Sequence, residues 1–280
     1  MTDTTRLALT IAGSEATGGA GAQADLRTFQ QLGVFGMVAL TCIVSFDPKA
    51  DWGHRFVPVD PGTIADQFEA ITAAYGPEQL DVTKIGMLGT PATIETVATA
   101  LRERPFRHVV LDPVLICKGQ EPGAALDTDN ALKEHVLPLA TFVTPNHFES
   151  LSLSGMDAIG TVEELTEAAR RIHERSGAAV LAKGGVHLPG PDAVDVFHDG
   201  TRTEVLAAPK VGEVQVAGAG CTLAAAVAAH LALGAEPLAA ARAAKDFVTA
   251  GIEGRLASSA PFDVVLQSAG GRDLGGARRP

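Results

Sequence analysis

RLALTIA (Arg6–Ala12), then GSEATGG (Gly13–Gly19), then AGAQADLRTFQQL (Ala20–Leu32) is the stretch that decides the architecture. The first run is apolar at nearly every position, as a strand covered on both faces must be. The glycine-rich run breaks it, and the third run reads as a helix ending at Gly33, a residue type suited to a helix C-terminus. The unit strand–loop–helix then recurs along the chain. Phe35–Val44 is the next apolar run, and Asp60-Pro61 opens a helix to about Tyr75, an N-cap followed by proline at the first helical position. Val82–Ile85 is a short strand, and Thr90-Pro91 starts a helix to Arg104 by the same device. His108–Leu111 and Phe142–Thr144 are strands, the latter stopped by Pro145, and Thr161-Val162-Glu163-Glu164 is a capping box opening a helix to Ser176. After the strand Ala179–Lys183, Val194–His198 and Thr203–Ala207 form a hairpin turning at Asp199-Gly200. Two Ala-rich helices, about Gly220–Leu233 and Pro237–Arg255, close the pattern. Such alternation predicts an α/β fold with a mostly parallel central sheet flanked by helices on both faces.

Two segments, Ser45–Pro58 and Pro113–Asp127, are longer than ordinary connections and read as flap or lid loops over a site at the carboxyl ends of the strands. No composition shift divides the chain, so residues 1–268 form one domain and the Gly/Arg-rich residues 269–280 a flexible tail. The chain has 280 residues, with 22 Lys+Arg against 33 Asp+Glu and a net charge of −11. That balance excludes a general nucleic-acid surface, so any bound phosphate must be held by local devices. Cys42, Cys117 and Cys221 are too scattered for a disulfide framework or a zinc ribbon. No segment reads as a leader or a membrane span, and a cytoplasmic protein is expected.

The glycine loop is not a Walker A motif, because Gly19 stands where the lysine should be. Gly19-Ala20-Gly21 satisfies a loose dinucleotide fingerprint, but Thr41–Ser45 lacks the acid that would hold a ribose hydroxyl. A tight turn alone would explain Gly13 and its neighbours, whereas Asp25, one turn into the helix, favours a substrate pocket. Gly218-Ala219-Gly220-Cys221-Thr222 opens a helix, where backbone N–H groups and the dipole make an anion cradle. Cys221 is there either a small packing residue or a thiol whose thiolate the helix start favours. Asp112 and Glu149, at strand ends, suit Mg²⁺ held largely through water and phosphates, although Glu149 also suits a helix N-terminus. Lys183, before Gly184-Gly185, is placed either to meet a phosphate or to stand solvated.

These motifs occur in a fixed order: Gly18 to Leu26, Gly33 to Met37, Lys84 to Gly89, Asp112-Pro113-Val114, Thr144-Pro145-Asn146, Lys183 to Gly185 and Gly218 to Thr222. Together they closely resemble the hydroxymethylpyrimidine kinase family and its pyridoxal-kinase branch, within the ribokinase-like superfamily. The resemblance covers about Leu7 to Gly254. It implies a ribokinase-like fold, ATP and Mg²⁺ as cofactors with a monovalent cation as a further option, and phosphorylation of a hydroxymethyl group on a heteroaromatic ring. It also implies a homodimer, with neither nucleic acid nor membrane as partner. Pyrimidine kinases carry a glutamine after the second strand that pairs with the aminopyrimidine. Here Ile43-Val44-Ser45 occupies that stretch, and Cys117-Lys118-Gly119 replaces the usual lid residues. Both departures, with the Phe46–Trp52 flap, are similar to dual-cysteine pyridoxal kinases. By this resemblance Asp112 and Glu149 place Mg²⁺, while Asn146, Lys183, Gly218 and Gly220 bind ATP. The amides of Gly218, Ala219, Gly220 and Cys221 steady the transferring phosphoryl group. Cys221 takes the hydroxymethyl proton, a thiolate at the helix start acting as base. Gly13, Asp25, Ile43 and Met87 contact the ring, and Cys117 adds to the pyridoxal aldehyde as a hemithioacetal. The alternative substrate is the pyrimidine of thiamine biosynthesis.

Overall fold

The computed structural model describes residues 5–115 and 122–270. Its strands and helices run β1 (Arg6–Glu15), α1 (Gly21–Gln31), β2 (Val34–Asp47), β3 (Gly53–Pro58), α2 (Pro61–Ala74), β4 (Val82–Ile85), α3 (Pro91–Glu103) and β5 (His108–Leu111). They continue as α4 (Pro122–Ala131), β6 (Phe142–Val143), α5 (His147–Ser154), α6 (Val162–Ser176), β7 (Ala179–Gly185), β8 (Asp192–His198), β9 (Thr203–Pro209), α7 (Ala219–Ala232), α8 (Pro237–Glu253) and α9 (Gln267–Gly270). The strands form a nine-stranded sheet in the order β3-β2-β1-β4-β5-β6-β7-β8-β9. From β2 to β7 every pairing is parallel, and the antiparallel strands lie at the two edges. The expected mostly parallel α/β sheet is therefore the one observed.

Local chemistry accounts for the helix starts. Asp60 accepts from Gly62 and Thr63 N–H, and Thr90 from Thr93 N–H, each followed by proline in the first turn. Thr161 and Glu164 cap each other reciprocally, as the sequence pattern requires. Each face of the sheet carries its own core. Leu9, Ile11, Ile85 and Leu111 pack on one side with Ile94 of α3 and Leu165 of α6. On the other side Ala8, Val82 and Val110 meet Phe29 of α1 and the alanine-rich α7. Alanine suits α7 because its small side chains let the helix lie close against the sheet and against α8.

The direction in which strands are added to the sheet reverses at β1, with β2 on one side and β4 on the other. That switch point leaves a crevice at the carboxyl ends of the strands, where open α/β sheets bind ligands. Both long segments differ from simple loops. Ser45–Pro58 is a hairpin, because β2 continues to Asp47 and pairs with β3 from Cys42↔Pro58 to Asp47↔Gly53. Its tip turns through Asp51 and Trp52 at φ of 49° and 53°, left-handed conformations that bulky residues rarely adopt. In the second segment Pro122 starts α4, proline being well placed in a first turn, so Pro122–Asp127 is helix rather than loop. The remainder of that segment, with Cys117, and the tail from residue 271 lie outside the described residues.

Candidate active site

Two glycine-rich turns meet at the switch point. In the first, β1 ends at Glu15, whose carboxylate folds back over the turn that follows it. It accepts from Thr17 N–H (2.6 Å), Gly19 N–H (2.8 Å) and Ala20 N–H (3.2 Å), holding the loop in one shape. Gly21 follows at φ 61°, and a Cβ there would stand 2.2 Å from the Gly13 carbonyl oxygen, so only glycine fits. In the second turn Gly218 caps α7 at φ 81°. A Cβ on it would stand 1.9 Å from the Gly19 carbonyl oxygen. Two backbones in contact at this range explain the glycines better than packing alone does. The first turn of α7 consequently opens toward the same space as the β1–α1 loop, its Ala219 N–H also reaching Val216 O at 3.3 Å.

That space is a cleft of about 640 Å³. Gly13 and Met87 line it together with Gly218, Ala219, Gly220 and Cys221. Asp112, Asn146, Glu149 and Lys183 line the remainder. The structure thus brings together most of the side chains and amides singled out from sequence. Lys183 Nζ lies 3.3 Å from Asp112 Oδ1, and a Cβ on Gly220 would be 3.5 Å from that Nζ. Burial works against the Lys183 charge, but Asp112 and Glu149 outweigh it and hold its pKa above the ordinary lysine value. Lys183 is therefore a fixed cation beside the helix entrance, not a solvated one.

Glu149 serves the helix N-terminus, as its position allowed. Its Oε2 accepts from Asn146 N–H at 2.7 Å while Asn146 Oδ1 accepts from Glu149 N–H at 2.9 Å, a complete capping box on α5. Burial also pushes its pKa up against the pull of Lys183, and the nearby Asp112 adds to the rise. Two carboxylates that repel each other across a cleft fit a divalent cation, which would relieve that repulsion. Among the described residues no group of three or more His, Cys, Asp or Glu side chains gathers at metal-binding distance. A cation held here would consequently draw its other ligands from phosphate oxygens and water.

Three sequence-derived assignments need correction. Ile43 is 51 % exposed and points away from the cleft, which is lined instead by its neighbours Val44 and Phe46. The register explains this, since successive strand residues face opposite ways. Asp25 does not line the cleft but is fully buried, accepting from Thr10 Oγ1 at 2.6 Å and from Lys84 Nζ at 2.9 Å. Burial pushes the Asp25 carboxyl up, opposed by Lys84 and by the Thr10 hydroxyl. Finally, the Cys221 thiol is not tuned downward by its helix start. Surrounding protein desolvates it and pushes it up to about 11, while Lys84 pulls the other way. Its Sγ accepts a weak hydrogen bond from Gly21 N–H at 3.4 Å, across the junction of the two glycine turns.

Lys84 is the residue that the sequence-derived set lacks. It is fully buried yet lines the cleft, and Asp25 keeps its pKa above the ordinary value although burial opposes the charge. The signal was a lysine inside the otherwise uncharged strand VTKI, where a cation needs a partner. Lys245 is a second such case, donating to Asp195 Oδ2 (2.8 Å) and to Ala193 O (2.9 Å) and so tying α8 to β8 along the cleft wall.

A cleft at the sheet switch point, with paired carboxylates, a fixed lysine and a glycine-capped helix aimed into it, holds anions by position rather than by a Walker loop. That combination on a three-layer α/β sheet defines a ribokinase-like small-molecule kinase. Comparison with known proteins agrees. Residues 15–262 match the phosphomethylpyrimidine kinase family, and the chain belongs to it. It is 47 % identical over 246 residues to the pyridoxine kinase of Bacillus subtilis strain 168, covering 88 % of this chain and 90 % of that one. The ADP complex of B. subtilis pyridoxal kinase superposes with a TM-score of 0.89 at 45 % identity, over 95 % of this chain and 98 % of that one. Staphylococcus aureus pyridoxal kinase in complex with AMP-PCP and pyridoxal gives 0.86 at 34 % identity, over 95 % and 94 %. Among the described residues no helix is long and apolar enough to cross a membrane.

Proposed function

We propose that this chain transfers the γ-phosphoryl group of ATP to the 5′-hydroxymethyl oxygen of pyridoxal, pyridoxine or pyridoxamine. One observation carries the reading: Cys221 and the first turn of α7 share one cleft with Met87, Gly13, Lys183 and Asp112. An alcohol lying against Gly13 and Met87 faces the sulfur, and a phosphoryl group between it and Lys183 faces the helix amides. The proton leaves the alcohol for the Cys221 sulfur as the new O–P bond forms and the bond to ADP breaks. Lys183 and the amides of Gly218, Ala219 and Gly220 neutralise charge on the phosphoryl oxygens. Asp112 and Glu149 would hold Mg²⁺, which when bound spreads the charge of the ATP phosphates. Pro209, Val211, Val214 and Val216 of the segment before α7, with Val248 and Ile252 of α8, form an apolar wall suited to adenine.

On the same reading the Cys117 thiol adds across the aldehyde of pyridoxal, its sulfur bonding to carbon and its proton passing to oxygen. A homodimer accompanies the reading. Ile43 and Val57 are cross-strand neighbours on the flap hairpin, 51 % and 59 % exposed, and make an apolar pair suited to a second copy.

The family's description favours a second substrate, hydroxymethylpyrimidine or its phosphate. Turnover measured side by side with pyridoxal, pyridoxine and hydroxymethylpyrimidine at saturating ATP–Mg²⁺ decides between them. Higher kcat/KM for the pyridine alcohols is expected, and preference for the pyrimidine overturns the assignment.

A further inference from the structure

The two glycine turns that build the cleft are joined a second time, behind it, by the C-terminal segment. Ala217, the residue before the helix cap, donates its N–H to Asp263 O (2.9 Å) and accepts from Val265 N–H (3.1 Å). Val264 lies against the other turn, its side chain 3.2 Å from where a Gly19 Cβ would be. Three residues on, the chain enters α9 at Gln267, which is 2 % exposed. Its Nε2 donates to the fully buried Thr222 Oγ1 at 3.1 Å, and its Oε1 accepts from Arg27 Nε at 3.1 Å. Arg27, on α1, donates in turn to the Gly18 carbonyl of the first loop.

A single buried amide thus ties the residue after Cys221 to the loop whose Gly21 N–H meets the Cys221 sulfur. Gln267 itself does not line the cleft. It lines a separate cavity of about 350 Å³ on the far side of the loop, with Arg27, Thr17 and Trp52. Its contribution to chemistry must therefore pass through the groups it holds.

We propose that Gln267 is a positioning residue for phosphoryl transfer, its amide setting the first turn of α7 against the β1–α1 loop through Thr222 and Arg27. The proposal rests on the kinase reading above. In an in-line transfer the sulfur, the amides and the alcohol must keep their separations to within a fraction of an ångström, and a displacement of about 1 Å costs up to about a hundredfold in rate. Neither Gln267 nor Arg27 touches Gly13 or Met87, against which the alcohol would lie, or Asn146 and Lys183, which would hold ATP. Loss of the amide should consequently appear in kcat and leave KM nearly unchanged.

The test compares Gln267→Leu, which removes both bonds at similar volume, with Gln267→Glu, whose two oxygens still accept from Arg27 and from the Thr222 hydroxyl. For Gln267→Leu we expect kcat to fall about tenfold or more, with both KM values within about threefold of wild type. Gln267→Glu should restore kcat to within about threefold. Thr222→Val removes the same bond from the other end and should reproduce the loss even if Gln267→Leu does not fold. The double variant Gln267→Leu/Thr222→Val should be no slower than Gln267→Leu, in which the Thr222 bond is already lost. Wild-type kcat in Gln267→Leu or in Thr222→Val overturns the proposal, as does equal damage in Gln267→Glu. A wild-type protein that turns over none of these substrates would instead overturn the kinase reading.

Discussion

Replacing Asp25 by Asn should unfold this protein more readily than almost any other polar substitution in it. The carboxylate and the Lys84 ammonium are both fully buried, 2.9 Å apart, and the neutral amide leaves the cation with no countercharge at that distance. Removing one partner of a buried pair costs about 3–5 kcal/mol. At about 2–4 °C per kcal/mol for a chain of this length, Tm should drop by about 6–20 °C. The informative variant is the double one. Lys84→Met removes the charge at nearly the same volume, and the introduced amide oxygen still accepts from Thr10. Moreover, Asp25 Oδ1 has no hydrogen-bond partner, so the native pair is not fully satisfied. Asp25→Asn/Lys84→Met should therefore recover at least about 2 kcal/mol of the loss, as buried pairs replaced by neutral groups commonly do. Urea denaturation followed by far-ultraviolet circular dichroism measures both. The double variant should nevertheless turn over slowly, because Lys84 is the cation that draws the Cys221 thiol toward ionisation. A loss below about 1 kcal/mol for Asp25→Asn, or a double variant no more stable than the single, would refute the argument that two dry charges hold each other.

Two further outcomes follow from the site. The Cys221 thiol, raised to about 11, is a base only when ionised, so wild-type kcat should climb from about pH 7 to about pH 10. Cys221→Ala should be slower by about 10²–10⁴ and flat over that range, and an unchanged slope would remove the sulfur from the reaction. Glu15→Gln keeps one acceptor oxygen but loses the charge that gathers the N–H groups of Thr17, Gly19 and Ala20, bonds worth about 1.5–3 kcal/mol each when charged. The alcohol KM should rise about tenfold or more with ATP KM unaltered, and parallel rises in both would place the loop elsewhere in the binding scheme.

The sequence made the parallel sheet legible because each strand is a short apolar run and each helix opens on a recognisable cap, such as Asp60-Pro61 or Thr161 with Glu164. Most cleft residues were legible too, since Asp112, Asn146, Lys183 and Gly218 to Cys221 all sit at strand or helix ends, and α/β topology sends those ends to one side. What escaped was anything fixed by a contact distant in sequence. Lys84 and Asp25 are 59 residues apart, and nothing local says that they meet. Gln267 and Thr222 are 45 apart, and the C-terminal segment had no motif to draw notice. Ile43 was misplaced by a period-two ambiguity, because alignment with a family position does not say which face of the strand is turned inward. For Cys221, the helix start put the thiol in the cleft but suggested the wrong direction of tuning, since desolvation outweighs the pull of Lys84 and of the Gly21 N–H.

Trp52, the sole indole in 280 residues, sits at the tip of the flap hairpin with its ring centroid 6.1 Å from that of Phe262. Nature has in effect installed an optical probe on the flap hairpin, whose Phe46 and His54 line the cleft. Its emission wavelength and quenching by iodide report the flap's approach or withdrawal with no label attached. Stopped-flow mixing with nucleotide or with the alcohol alone can thereby tell which of the two draws the hairpin down.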